Sequence, residues 1–532
     1  MNAKKFLSLL MLIVIAFCAA CQPATPPAPI AVAPQENAAP AKTYPQTEEH
    51  RPVATQAAAG QAPAAHGPEA EEPAWLPPAP DNEFQDYGVN PETDTVYDHL
   101  STFALDVDTA SYSVARRYIN DGSLPPYDAV RVEEFVNAFD QGYEAPRDVA
   151  FSIYADGAPA PSGFDENAYI MRFGVQGYRV PEYDRKPSVL TFVIDVSGSM
   201  DMENRLGLVK RSLRLLVDRL DERDSVSIIV YGSSARAVLK PTSGDRKAAI
   251  TRAIDSLEPE GSTNAEAGLK LGYRYAEHAY REGANNRIIL CSDGVANVGN
   301  TEAESILNQV QEYVDRGIYL TSVGFGMGNF NDVLLEQLAD QGNGNYAYVD
   351  TLDQARKLFV EDLTATLQVI AKDAKVQVDF NAEVVESYRL IGYENRAVAD
   401  QDFRDDSVDA GELGAGHTAT ALYEVKFKRG AEGRVATVQL RWEDPETGAV
   451  KEINGNFNTW DLAGRFEDSS AHYQLAVTVA QFAEVLRESP YVHISLSDLA
   501  RRAERVSRQL EESEDAAEFA DLVEQASYLS DY

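Results

Sequence analysis

Cysteine is scarce in this chain of 532 residues: Cys18, Cys21 and Cys291. Two of them sit near the N-terminus and one in an apolar stretch, so neither a disulfide framework nor a cysteine zinc site can be assembled. Basic residues are also short. Forty-seven Lys and Arg face 84 Asp and Glu, a net charge of -37. Such a chain repels phosphate backbones, which argues against a nucleic-acid partner. The seven His are scattered and form no HExxH pair. His278, His472 and His493 are expected on helix faces or in loops, and no Ser-His-Asp set can be argued.

What remains is a soluble globular composition, 44% hydrophobic and 25% charged, long enough for two to four domains. Residues 22 to about 90 are rich in Pro, Ala, Glu and Gln and poor in large apolar side chains. The segment 21–94 is expected to be a disordered tether. Order is expected from residue 95. Residues 95–183 read as a small α+β module: a strand, a helix, a Gly-Ser-Leu-Pro-Pro turn, a second helix and two strands.

From Lys186 to about residue 371 apolar strands alternate with amphipathic helices, as in VLTFVID followed by NRLGLVKRSLRLLVDRL. Continuous β-rich runs alternating with helices predict a doubly wound, Rossmann-like α/β domain with a parallel sheet covered on both faces. Residues 372–532 begin with period-two strands and end in helices, which predicts a β-sandwich-like segment closed by helices, a second flanking module. The tail EESEDAAEFADLVEQASYLSDY is expected to be a solvated acidic helix.

Three loops at the ends of predicted strands or starts of helices carry oxygen donors: Asp195-Val-Ser197-Gly-Ser199, Gly261-Ser-Thr263-Asn, and Cys291-Ser-Asp293-Gly. In open α/β sheets, ligands bind beyond the carboxyl ends of the strands. Two carboxylates and three hydroxyls suit a hard divalent cation that keeps some water, with Gly198 and Gly294 expected to let the loops turn around it.

These residues resemble the von Willebrand factor type A family. Its metal-ion-dependent adhesion site is Asp-x-Ser-x-Ser, a distant Thr and a distant Asp, here Asp195, Ser197, Ser199, Thr263 and Asp293. The resemblance implies that Ser197, Ser199 and Thr263 contact the ion, while Asp195 and Asp293 often act through water. It implies Mg2+, with Mn2+ or Ca2+ as substitutes, and a sixth position left for an Asp or Glu of a protein partner. Few direct carboxylates leave the ion electrophilic enough to take that ligand. The stretches STFALDVDTASYSVARRYINDGSLPPYDAVRVEEFVNAF and HYQLAVTVAQFAEVLRES resemble the flanking modules of bacterial envelope proteins that carry such a domain.

The N-terminus has a matching character. Lys4 and Lys5 precede an apolar run from Phe6 to Ala20, and Ala19-Ala20 precede Cys21. Residues 1–20 read as a secretory signal, too short for a spanning helix. The Cys after the small pair resembles a bacterial lipoprotein lipobox, although Cys18 stands where that pattern prefers Leu. It implies lipidation at Cys21 and attachment to the cell envelope. Gln22, in place of Asp, points to the outer membrane, facing periplasm or cell surface. No enzyme is expected, because no general base can be named near the ion. A structural protein whose metal only staples loops, or a metal-assisted hydrolase, are the alternatives. Asp106 or Asp108, before Thr109, is expected to cap a helix, and Cys291 to be a packed thiol.

Overall fold

A computed structural model describes residues 82–105, 107–202, 205–294, 310–327, 330–361 and 367–530. The signal segment, Cys21, Asp106 and most of the tether lie outside them. In chain order the leading segment gives β1 (Thr93–Asp94), β2 (Leu100–Ala104), α1 (Ala110–Asn120), α2 (Val132–Asn137), β3 (Phe151–Pro159) and β4 (Ala168–Gly177). The middle gives β5 (Ser188–Asp195), α3 (Leu206–Arg219), β6 (Ser225–Tyr231), β7 (Ala235–Ser243), α4 (Lys247–Asp255), α5 (Ala265–Ala279), β8 (Asn285–Ser292), β9 (Tyr319–Phe325), α6 (Asp332–Asp340), β10 (Tyr346–Val349) and α7 (Leu352–Arg356). The last part gives β11 (Val369–Phe380), β12 (Val385–Ile391), β13 (Gly411–Gly414), β14 (Thr418–Phe427), β15 (Arg434–Glu443), β16 (Val450–Asn458), α8 (Ala471–Leu486), α9 (Leu496–Ser507) and α10 (Glu514–Leu529).

The middle segment forms a six-stranded sheet in the order β10-β9-β8-β5-β6-β7. Five strands run parallel, and the edge strand β7, not anticipated from sequence, pairs antiparallel with β6. β5 is wholly buried, as a near-continuous run of apolar and β-branched side chains requires. Its Leu190, Phe192 and Ile194 pack with α3 residues Leu213 and Leu216. Val193 points to the other face, with Leu269 and Tyr273 of α5. Alternation along one strand thus feeds two cores. The sequence of connections places β6 on one side of β5 and β8 on the other, so the order of connection reverses at β5 while the strands stay parallel.

The flanking segments were expected as separate modules, and they are not separate. β1, β3 and β4 share an antiparallel sheet with β12 and β14, in the order β1-β12-β14-β4-β3. β2 pairs with β11, across the whole inserted α/β domain, in the sheet that also holds β13, β15 and β16. Phe103, Met171 and Phe173 from before the insertion pack with Val376, Tyr423 and Trp442 from after it. The helices follow the same rule: Phe135 of α2 lies 6.3 Å from Phe482 of α8, which lies 5.7 Å from Phe519 of α10. α10 is therefore no solvated helix. Phe519, Leu522, Val523 and Ala526 are buried in that cluster, and its acidic residues occupy the remaining face.

Order also starts earlier than residue 95. The Glu83 N–H donates to the Phe330 carbonyl at 2.8 Å, and the Asn90 amide donates to the Gly392 carbonyl at 2.8 Å. Among the described residues no helix is long and apolar enough to cross a membrane.

Candidate functional site

β5 and β8 lie side by side in parallel register, Ile194 opposite Cys291. Their carboxyl ends therefore deliver Asp195 and Asp293 to neighbouring points above the sheet. Asp195 is fully buried. Its Oδ1 accepts the Ser197 N–H at 2.7 Å, and its Oδ2 accepts the Ser292 hydroxyl at 3.2 Å. The chain then makes a short helical turn, Gly198–Asp201. This brings the hydroxyls of Ser197 and Ser199 within 3.0 Å of each other. Asp293 joins them through Arg205, whose guanidinium bonds both its carboxylate and the Ser199 carbonyl. Four of the five residues expected from sequence thus form one connected cluster.

Thr263 reaches the same end of the sheet by a different route. The Gly198 N–H donates to the Gly261 carbonyl at 3.0 Å, which lays the two loops against each other. Gly261 has φ of +73°, and a Cβ there would meet the Ser233 hydroxyl at 2.3 Å. Only glycine suits that position. Thr263 is half-buried, and Asn264 next to it caps α5 by accepting the Ala267 N–H at 3.0 Å. Of the two glycines anticipated as loop hinges, Gly294 has φ of +131° and fits that role. Gly198 does not: its φ is not positive, and a Cβ there would meet nothing nearer than the Gly261 carbonyl oxygen at 3.5 Å.

Two further residues complete the cluster and were not read from sequence. One is Ser292, whose role follows only from the β5–β8 register. The other is Arg205, which is 3% exposed. Its guanidinium bonds the Asp293 carboxylate, donates to the Ser199 carbonyl at 3.0 Å, and donates to the Met327 carbonyl. It therefore ties together the Ser199 loop, the Asp293 loop and the loop after β9. No local pattern marks it: Arg205 stands at the N-cap of α3, beyond the Gly198–Asp201 turn.

Burial dominates the electrostatics. Desolvation pushes the Asp195 carboxyl up to about 6, against the N–H and hydroxyl of Ser197, which favour its charged form, while the neighbouring Asp293 adds to the rise. Desolvation likewise raises Asp293, against Ser199 and Arg205, which favour its charged form. Asp293 has the Arg205 guanidinium beside it, whereas buried Asp195 is held by an N–H and a hydroxyl and makes no ion pair among the described residues. A divalent cation would relieve that imbalance, and hydroxyl and carboxylate oxygens are the donors a hard ion takes. The residues present fit such an ion: Asp195, Ser197, Ser199 and Asp293 as one cluster, with Thr263 on the adjoining loop. Among the described residues no group of three or more His, Cys, Asp or Glu is placed to hold a metal, so a site here must draw on the hydroxyls.

Other sequence features resolve differently. Cys291 is fully buried and its thiol is raised by that burial, as for a packed side chain. The N-cap of α1 is Thr109, which makes no side-chain cap bond, and Asp108 precedes it. The Asp108 Oδ1 accepts the Tyr346 N–H at 2.8 Å, fastening the start of α1 to β10.

Three family profiles match the chain: von Willebrand factor type A domain at residues 190–366, von Willebrand factor at 78–172, and "Uncharacterized protein YfbK, C-terminal" at 365–529. YfbK of Escherichia coli (strain K12) is 34% identical over 475 residues, covering 84% of this chain and 81% of YfbK. The chain belongs to this bacterial family of von Willebrand factor type A proteins. Protein sll0103 of Synechocystis is 27% identical, covering 52% of this chain and 66% of its own length. Human inter-alpha-trypsin inhibitor heavy chain H3 is 29% identical over 192 residues, but this chain spans only 20% of its length. Among solved structures, a von Willebrand factor type A protein from Catenulispora acidiphila matches with a TM-score of 0.40 at 16% identity, covering 70% of this chain and 88% of its own. Domains of this type commonly mediate protein interactions and adhesion, and relatives of this chain are typically not enzymes.

Proposed function

We propose that this protein is an envelope-anchored, metal-dependent binding protein, in which an Asp or Glu of a protein partner completes the shell of a divalent cation. Mg2+ is the ion proposed, with Mn2+ or Ca2+ as substitutes. One observation carries the reading: Asp195, Ser197 and Ser199 are linked directly, and Asp293 through Arg205, into one cluster at the carboxyl ends of β5 and β8. Ser199 itself is exposed, so a ligand can approach from outside. Hydroxyl-rich coordination leaves the ion more of its charge than carboxylate-rich coordination would, which favours an anionic sixth ligand. The proposed anchor is a lipid on Cys21, and the proposed location is the bacterial outer membrane, facing periplasm or cell surface.

The test is capture of partners from envelope extract by the full chain in Mg2+, in EDTA, and by Asp195→Ala in Mg2+. Retention by wild type in Mg2+ alone supports the proposal. Retention in all three, with the variant merely less stable, sinks it and favours a metal that only staples loops. For the anchor, Cys21→Ala is expected to move the protein from the membrane to the soluble fraction; unchanged sedimentation with membranes would contradict it.

A further inference from the structure

Next to the Ser197–Ser199 loop the surface opens into a groove of about 530 Å3. Its walls come from the same loops that carry the candidate ligands: Asp201 and Met202 follow Ser199, Pro259 precedes Thr263, and Leu206, Lys210 and Arg211 belong to the first turns of α3. Met202 is 61% exposed, an uncommon position for a large apolar side chain. Lys210 Nζ donates to the Asp255 carbonyl at 3.2 Å and makes no ion pair among the described residues. Arg211 is exposed and makes no ion pair among the described residues. Two adjacent cations without carboxylate partners among the described residues stand out in a chain where 84 acidic residues outnumber 47 basic ones.

We propose that this groove docks an acidic, extended segment of the same partner whose carboxylate reaches the ion. An apolar side chain of that segment lies on Met202 and Pro259, and a second carboxylate pairs with Lys210 and Arg211. The proposal rests on the metal reading above. Its physical basis is charge complementarity. A net charge of -37 repels an acidic partner at long range, but at physiological salt fields are screened within about 8 Å. The charges lining the groove then decide the contact, and Lys210 and Arg211 outweigh Asp201. Exposed ion pairs are individually weak, so the groove adds selectivity to a segment already held by its metal-bound carboxylate, and apolar contact adds the rest.

The test is selection of random displayed peptides on the full chain in Mg2+, run in parallel on a Lys210→Glu/Arg211→Glu variant, on Asp195→Ala and in EDTA. Wild type is expected to enrich peptides with two acidic residues flanking an apolar one. The charge-reversed variant is expected to bind an enriched peptide about tenfold or more weaker, equivalent to ~1.4 kcal/mol, with unchanged Mg2+ affinity. Met202→Glu gives a second variant should the double reversal unfold. Enrichment of no acidic pair, or equal affinity in wild type and reversed variant, overturns the proposal. Acidic-pair binding that survives EDTA and Asp195→Ala but not charge reversal keeps the groove and removes the metal reading.

Discussion

Arg205→Met deletes the one guanidinium that touches three loops at the site while keeping much of the side-chain volume. Asp293 is 4% exposed, and loss of Arg205 leaves its carboxylate buried without a cation. The Ser199 and Met327 carbonyls lose a donor at the same time. Breaking a buried ion pair by removing one partner costs about 3–5 kcal/mol. For an α/β domain of this size that corresponds to a fall in Tm of roughly 6–20 °C. The loss is expected in EDTA. In Mg2+ the ion takes over the compensation of Asp293, so the variant should recover more Tm than wild type gains, and it should bind Mg2+ more tightly because a competing positive charge is gone. Saturation at a hundredfold over Kd returns about 2.7 kcal/mol. Differential scanning calorimetry in EDTA and in Mg2+, with isothermal titration, reads both effects. A variant as stable as wild type in EDTA would refute the burial argument, and a Tm loss that Mg2+ leaves untouched would refute the charge argument.

Two further outcomes test other parts of the structure. Glu412 is buried beside Asp409 and Asp373, with Lys372 and Arg287 as the nearby cations, and burial raises its carboxyl well above the usual range. A raised carboxyl contributes stability at low pH that is lost as pH rises through its folded value. Glu412→Gln should therefore flatten the fall in stability toward alkaline pH and gain relative to wild type there, as read by urea unfolding across the pH range; a parallel pH profile would contradict this. The second outcome concerns residues 367–530. Expressed alone they lose β2, β3 and β4 from their sheets and the α1 and α2 side of the helical cluster. They should give no cooperative unfolding transition, and a sharp one would show that the trailing segment folds independently.

The α/β domain was legible because its strands announce themselves. β5 and β8 are runs of β-branched and apolar residues ending in carboxylate and hydroxyl side chains, and α3 repeats Leu and Val at three- and four-residue spacing. The pairing of the flanks was not legible. Period two marks which face of β2 or β11 is buried, but not that Phe103 lies opposite Val376 across more than two hundred intervening residues. β7 was missed because its residues are largely half-exposed and include Lys240 and Pro241. The burial of α10 was missed because its charge masked the spacing of Phe519, Leu522 and Val523. At the site, motif spacing pointed to the three loops, whereas Ser292 and Arg205 enter through strand register and a loop-to-loop contact that no local pattern encodes.

The central claim turns on one titration, Mg2+ into the EDTA-stripped full chain by calorimetry, alongside Asp195→Asn and Thr263→Val. The proposal predicts one ion per chain in wild type, at least about tenfold weaker in each variant, a loss of ~1.4 kcal/mol. No binding in wild type, or binding equal in all three proteins, would contradict it.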